Sequence, residues 1–171
     1  MREPAGTTIL VAYATKYGST REIAEVIGTT LREAGLTVEV HPAVEVRDVR
    51  PYGAVILGSA LYSATWLREA NRFARVHAAA LAERPVWLFS SGPLDHSASA
   101  GDLPIPAHVA EATAAIGARG HRMFGGRLAA DAPGLTPEIL ATHRVGDFRD
   151  WAAIESWARQ IAAEWTGAPG G

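Results

Sequence analysis

The sequence predicts an α/β fold, a parallel sheet of five strands in the order 2-1-3-4-5 with helices on both faces. Three observations predict it. Short apolar runs alternate with segments of helical period along the chain. The two most apolar runs, 8–13 and 54–58, are continuous rather than alternating, as strands buried on both faces are, and belong at the centre. Strands joined through helices run parallel, with right-handed crossovers.

Each element follows in turn. Thr8-Ile9-Leu10-Val11-Ala12-Tyr13 is the first strand, and Ala14-Thr15-Lys16-Tyr17-Gly18 is the loop after it. Ser19-Thr20-Arg21-Glu22 reads as a capping box, with Ser19 at the cap and Glu22 three residues on. Ile23, Ile27, Thr30, Leu31 and Ala34 then share one helix face, and Gly35 ends the helix. Residues 37–41 alternate as a short strand near an edge, and 43–51 form a connector. Residues 53–58 are a buried strand, after which Trp66, Ala70, Phe73, His77 and Leu81 mark a helix face. Residues 85–90 form the fourth strand, and 106–118 are helical through Val109, Ala112, Thr113 and Ile116. The last strand spans His121 to Leu128, weakened by Gly125-Gly126. Residues 129–149 are a loop rich in Ala, Pro and Gly, and Asp150 caps a final helix carrying Ile154, Trp157, Ala158, Ile161 and Trp165. One domain is expected over 1–166, with 167–171 a disordered tail.

Composition narrows the function. A chain of 171 residues suffices for one domain that buries roughly 70% of its unfolded surface. The absence of Cys excludes disulfides, thiol catalysis, thiolate zinc sites and cysteine-bound iron–sulfur clusters. A net charge of −2 lacks the basic footprint of nucleic-acid binding. No apolar run approaches the roughly 20 residues of a membrane span. With no charged-then-apolar leader, a cytoplasmic location is expected. Of the 16 basic residues all but one are Arg, and the lone lysine, Lys16, lies in the first loop.

In such a sheet, ligands bind at the C-terminal strand ends where the order reverses, which selects three loops. Thr15-Lys16-Tyr17-Gly18-Ser19-Thr20 leads from a strand into a helix N-terminus, where free N–H groups and the helix dipole favour an anion. Its hydroxyls add donors and Gly18 lets the backbone curl close. It is neither a Walker A loop nor G-x-G-x-x-G, and it suits one terminal phosphate monoester. The alternative is a capped helix start with no ligand. The second loop is Ser59-Ala60-Leu61-Tyr62-Ser63-Ala64, and the third Ser90-Ser91-Gly92-Pro93-Leu94. Their small residues leave room for a flat ring. Tyr62 either flanks that ring or packs in the core, and Trp66 falls on the packing side.

The strand followed by T-x-x-G-S-T resembles the FMN phosphate loop of flavodoxin-like proteins. The resemblance runs from about Thr8 to Glu164. Within that superfamily it is most similar to the flavodoxin-domain proteins related to menaquinone-dependent protoporphyrinogen dehydrogenase, through Ala12–Glu22, Gly58–Trp66 with Phe73 and His77, and Gly146-Asp147-Phe148-Arg149-Asp150-Trp151. It implies a flavodoxin-like three-layer sandwich with FMN as cofactor. Thr15, Lys16, Tyr17, Gly18, Ser19 and Thr20 would hold the phosphate. Ser59, Ala60, Leu61 and Tyr62, with Ser90, Ser91, Gly92 and Pro93, would line the isoalloxazine. The activity implied is that of a flavin-dependent dehydrogenase or reductase acting on a quinone-like or tetrapyrrole-like substrate. The alternatives are a non-catalytic electron carrier and a flavodoxin-fold module without FMN. Partners would be a redox protein or a small-molecule electron donor or acceptor. The near-neutral charge differs from that of acidic carriers, and 129–149 lacks the basic, aromatic insert of the protoporphyrinogen enzyme, which argues against membrane docking.

The remaining candidates are structural. The six His residues show no metal-ligand spacing, so no metal is expected. His77 on an apolar stripe reads as half-buried and satisfied, and Asp147 and Asp150 as turn and capping residues. Ser90-Ser91-Gly92 has no evident base partner. Arg68, Arg72 and Arg75 read as a solvated face, with an acidic partner the alternative. Residues 94–105 are either a lid or a surface loop.

Overall fold

The computed structural model describes residues 7–62, 64–92, 105–129, 131, 135–138 and 145–167. Its central sheet contains β1 (Ile9–Ala14), β2 (Val38–Pro42), β3 (Ala54–Tyr62), β5 (Val86–Ser91) and β6 (Gly120–Phe124), in the spatial order β2-β1-β3-β5-β6. All four pairings are parallel: Ile9 lies beside both Val38 and Ala54, Val55 beside Val86, and Trp87 beside Gly120. This is the predicted doubly wound order 2-1-3-4-5.

β1 is buried at every position, and its side chains divide between two cores because successive residues point to opposite faces. Ile9, Val11 and Tyr13 pack with Ile23, Ile27 and Leu31 of α1 (Ser19–Glu33) and with Ile154, Trp157 and Ile161 of α5 (Trp151–Gly167). Leu10, Ala12 and Ala14 pack on the other face with Phe73 of α2 (Arg68–Val76), Leu81 of α3 (Ala78–Leu81) and Val109 of α4 (Ala107–Ile116). The result is three layers, helices over sheet over helices.

Several elements differ from expectation, each for a physical reason. β3 does not end at Gly58. It continues to Tyr62 and folds back on itself, Leu61 pairing with Trp66 and Tyr62 with Thr65 of the short antiparallel β4 (Thr65–Trp66). Ser59–Tyr62 are therefore strand, not loop. The turn is tight enough to hold Ala64 at φ +58°, a left-handed conformation that alanine adopts at a cost. Trp66 accordingly lies on β4 and not on a helix stripe. The helix after it starts at Arg68 and is broken at His77, whose ring packs on Phe73 at 4.7 Å between centroids.

The last sheet strand stops at Phe124. At Gly125 a side chain would collide with the Phe148 carbonyl, and the Gly126 carbonyl accepts the Phe148 N–H at 2.9 Å. The chain then forms β7 (Arg127–Leu128), paired antiparallel with β8 (Gly146–Asp147) inside the stretch expected to be loop. Asp150 does cap α5, its Oδ1 accepting the Ala153 N–H at 3.0 Å. Gly167 is still helical, and 168–171 lie outside the described residues, as does the proposed lid apart from Ile105.

Candidate functional site

The first loop opens at the C-terminal end of β1. The Gly18 N–H donates to Thr15 Oγ1 at 3.0 Å, closing the loop on itself. Gly18 then turns at φ +91°, ψ −7°, a left-handed conformation suited to glycine, with open space where a Cβ would stand. α1 begins at the next residue. The expected capping box does not form: Gly18 occupies the cap position without any side-chain cap, and Ser19 is the first helical residue. The partner it would have used, Glu22, is bound elsewhere, with Oε2 2.8 Å from Arg149 Nη1 and Oε1 3.8 Å from Arg127 Nη1.

Two polar atoms are left over. Ser19 Oγ and Thr20 Oγ1 are buried and have no hydrogen-bond partner, and Thr20 as a whole is fully buried. Hydroxyls in such positions normally find one. They sit on the first turn of a helix, where the leading N–H groups have no intrahelical acceptor either. Unsatisfied donors, the positive end of the helix dipole and a glycine that keeps the loop clear together suit an anion. By contrast, the cleft of about 410 Å³ between α1 and α5 is lined by Glu22, Glu25, Glu33 and Glu155, a set that repels anions.

At the rim beside this loop, Lys16 Nζ stands 5.4 Å from the ring centroids of both Tyr17 and Tyr62. The two rings meet edge-to-face, 6.4 Å apart. Burial, with the nearby Tyr17 phenol a smaller cause, pushes the Tyr62 hydroxyl up to about 12, so it remains a hydrogen-bond donor at neutral pH. Tyr62 is 38% exposed, with the rest of the side chain covered at the rim.

The strand-end serines are placed differently. Ser59 is fully buried; its hydroxyl accepts the Leu67 N–H at 3.0 Å and donates to the Ala60 carbonyl at 2.8 Å. Ser90, also fully buried, accepts the Trp66 indole N–H at 2.7 Å and is hydrogen-bonded to His121 Nε2 at 2.7 Å. Burial lowers the His121 pKa to about 4, so the ring is neutral and able to accept. Ser90 thus has a base partner that the sequence did not reveal, 31 residues away on the adjacent strand. Ser90 has no access to solvent and its oxygen already holds the Trp66 N–H, so the pair braces β4 against β5 and β6 and offers no nucleophile. His108 extends the chain, its Nε2 accepting the Trp66 backbone N–H at 2.9 Å.

Around them, Ala60 and Ser91 are buried within their strands, and Leu61 lies against Gly92, where a Cβ would come within 2.9 Å of Leu61 Cβ. Gly92 donates its N–H to the Phe124 carbonyl at 3.1 Å. Pro93 lies outside the described residues. β1 and β3 are adjacent strands, so Thr15–Thr20 and Tyr62 share one end of the sheet, and Ser90–Gly92 adjoin them on β5. Among the described residues, no three His, Asp or Glu side chains gather as a metal set.

Comparison with known proteins places the fold. The sequence profile described as flavodoxin domain matches residues 10–135. No curated protein sequence matches the chain significantly. Among solved structures, a flavodoxin from the domain Archaea superposes with a TM-score of 0.64 at 17% identity, covering 93% of this chain and 99% of the other. A flavodoxin from Pseudomonas aeruginosa gives 0.63 at 16% identity, covering 94% and 99%. The rubredoxin oxygen:oxidoreductase from Desulfovibrio gigas gives 0.66 at 15% identity over 94% of this chain, which spans only 36% of that larger protein. These likenesses establish the fold. With the profile match extending over most of the sequence, the chain belongs to the flavodoxin domain family.

Proposed function

We propose that this chain binds one FMN and serves in electron transfer, its phosphate held by Thr15–Thr20. The observation that carries the reading is the pair of buried, partnerless hydroxyls, Ser19 Oγ and Thr20 Oγ1, on the first turn of α1 behind a left-handed Gly18. A phosphate monoester brings the acceptor oxygens these donors lack, and a helix N-terminus favours its charge. FMN, when bound, supplies the hydride or electron chemistry. The chain's part is to hold and orient it. Lys16, Tyr17 and Tyr62 give the rim a cation and two aromatic faces, and the backbones of Ser59–Tyr62 and Ser90–Pro93 are the segments to meet the ring's polar edge. Because Ser59 and Ser90 already spend their hydroxyls internally, their contribution there is main-chain.

The finer reading is a dehydrogenase or reductase acting on a quinone-like or tetrapyrrole-like substrate, akin to menaquinone-dependent protoporphyrinogen dehydrogenase. The aromatic, cationic rim supports it, since flat conjugated molecules stack on such surfaces. A second reading, an electron carrier that turns over no small molecule, is favoured by the end-to-end match with flavodoxins, 99% of whose length this chain covers.

The test is a visible absorption spectrum of the purified protein before and after adding FMN. Saturable binding with bands shifted from those of free FMN is the expected result. No bound flavin in excess FMN would overturn the proposal and leave a flavodoxin-fold module without FMN. Turnover with quinone and porphyrinogen substrates then separates enzyme from carrier.

A further inference from the structure

The segment Gly146–Trp151 is distinctive in the sequence and plays no part in the function proposed above. Its arginine is buried and engaged on every side. The Arg149 side chain is 4% exposed. Nε and Nη2 grip the two Asp147 oxygens at 2.9 and 2.7 Å, and Cζ sits 4.5 Å from the Trp151 ring centroid. Asp147 Oδ1 also accepts the Arg149 N–H at 3.1 Å, so the carboxylate that aims the guanidinium is itself fixed. The backbone on either side is anchored, through Phe148 to Gly126 and through Asp150 to the start of α5. What remains of the guanidinium, Nη1, reaches across to the first turn of α1, 2.8 Å from Glu22 Oε2 and 3.4 Å from the Ser19 carbonyl.

The capping box is missing because α1 starts one residue earlier than the box requires, with Gly18 at the cap, and this contact then decides where Glu22 goes. Glu22 lies in the first turn of α1, where a carboxylate is drawn to the positive end of the helix and its free N–H groups. A carboxylate there would be an internal anion competing with any ligand for the same donors. Arg149 holds it outward. Arg127 adds a longer contact, 3.8 Å, from a half-exposed position, and is the weaker restraint.

We propose that Arg149 is a positioning residue of the anion site: it withdraws Glu22 from the α1 N-terminus and tethers the Ser19 carbonyl, keeping the Ser19 and Thr20 donors open for a phosphate. The inference rests on the FMN reading only for the identity of that phosphate.

The test compares wild type, Arg149→Met and the double variant Arg149→Met with Glu22→Gln, each titrated with FMN and with riboflavin, which lacks the phosphate. Arg149→Met is expected to weaken FMN about tenfold, the equivalent of one lost charge-assisted contact, and to leave riboflavin within about twofold. Adding Glu22→Gln, which takes away the competing charge, is expected to restore most of the FMN affinity. Equal loss of both ligands, or no rescue by Glu22→Gln, overturns the proposal, because either result means a merely structural arginine. If Arg149→Met does not fold, Arg149→Lys keeps a charge for Glu22 but cannot grip Asp147 and Glu22 together, and a smaller loss confined to FMN is expected. Amide hydrogen exchange in the ligand-free protein gives a separate reading. Glu22 folding back in Arg149→Met is expected to slow exchange at Ser19, and unchanged exchange counts against the idea. Wild type that binds no FMN would sink the functional reading, while the exchange result would still decide the role of Arg149.

Discussion

Replacing Thr20 by Val is expected to strengthen the empty protein and weaken its hold on FMN. Valine has the shape of threonine and a similar helix propensity, so the change removes one hydroxyl and little else. In the ligand-free protein that hydroxyl is fully buried and unpaired. A buried hydroxyl without a partner costs about 1–3 kcal/mol in protein mutational data, so removing it stabilises by about 1 kcal/mol or more. In a domain of this size, about 1 kcal/mol raises Tm by about 2–4 °C. With phosphate bound the sign reverses, because a hydrogen bond to a charged group contributes about 1.5–3 kcal/mol, or about tenfold to a hundredfold in affinity. Urea unfolding of the ligand-free protein reads the first effect and flavin fluorescence titration the second, with riboflavin as the control that lacks the phosphate. A variant that is less stable when empty and binds FMN like the parent would refute the reasoning, since the hydroxyl would then be serving the fold.

Two further predictions rest on other parts of the structure. Gly18→Ala should cost about 1–2 kcal/mol, because an L side chain resists φ +91° even though the space around it is open; Gly18→Asn should cost less, and equal urea midpoints would show that the loop does not need this conformation. His121 should impose a pH dependence. Its folded pKa of about 4 lies below the 6.5 of an unfolded histidine, so on acidification the unfolded chain takes up the proton first. Stability is then complete above about pH 6.5 and falls as pH drops towards 4, by up to about 3 kcal/mol. The difference in unfolding free energy between wild type and His121→Gln, measured from pH 4 to 7, isolates this contribution, and a flat difference would mean that His121 is not buried as neutral ring.

The parts of the fold legible in the sequence are those set by local pattern. Thr8–Tyr13 reads as a doubly buried strand because its apolar run is unbroken from Ile9, and Ile9 to Tyr13 are all buried, with Ala14 added to the strand. Asp150 reads as a cap because an Asx residue opening an amphipathic helix has few other uses. Gly125-Gly126 reads as a weakness in the last strand, and the strand ends there because the Phe148 backbone takes the space. The illegible parts were decided by distant residues. Nothing in Ser59-Ala60-Leu61-Tyr62 announces a strand, and the turn beyond it has Ala64 where a glycine or asparagine would have signalled a hairpin. Trp66 and Ala70 are spaced as on a helix, yet Trp66 is held on β4 by Ser90 and His108. The Ser19–Glu22 capping signal is genuine in isolation but goes unused, because Gly18 takes the cap and Glu22 pairs with an arginine 127 positions away.

The hydroxyls make the same point about the site. Ser19, Thr20, Ser59 and Ser90 all stand at C-terminal strand ends or the helix they lead into, and in sequence they are equivalent candidates for a ligand. The structure divides them by what else they touch. Ser59 and Ser90 are saturated by Leu67, Ala60, Trp66 and His121, so a ligand would have to break a buried hydrogen bond to use them. The Ser19 and Thr20 hydroxyls are buried with nothing to bond, so a ligand that supplies acceptors gains their interaction without displacing a partner. A protein that leaves donors unsatisfied on one side of a crevice and saturates them on the other has its affinity concentrated on the first. On the proposed reading the anion end would anchor the cofactor, and the ring end, built from main chain and from Lys16, Tyr17 and Tyr62 at the rim, would be left free to adapt to whatever exchanges electrons with it.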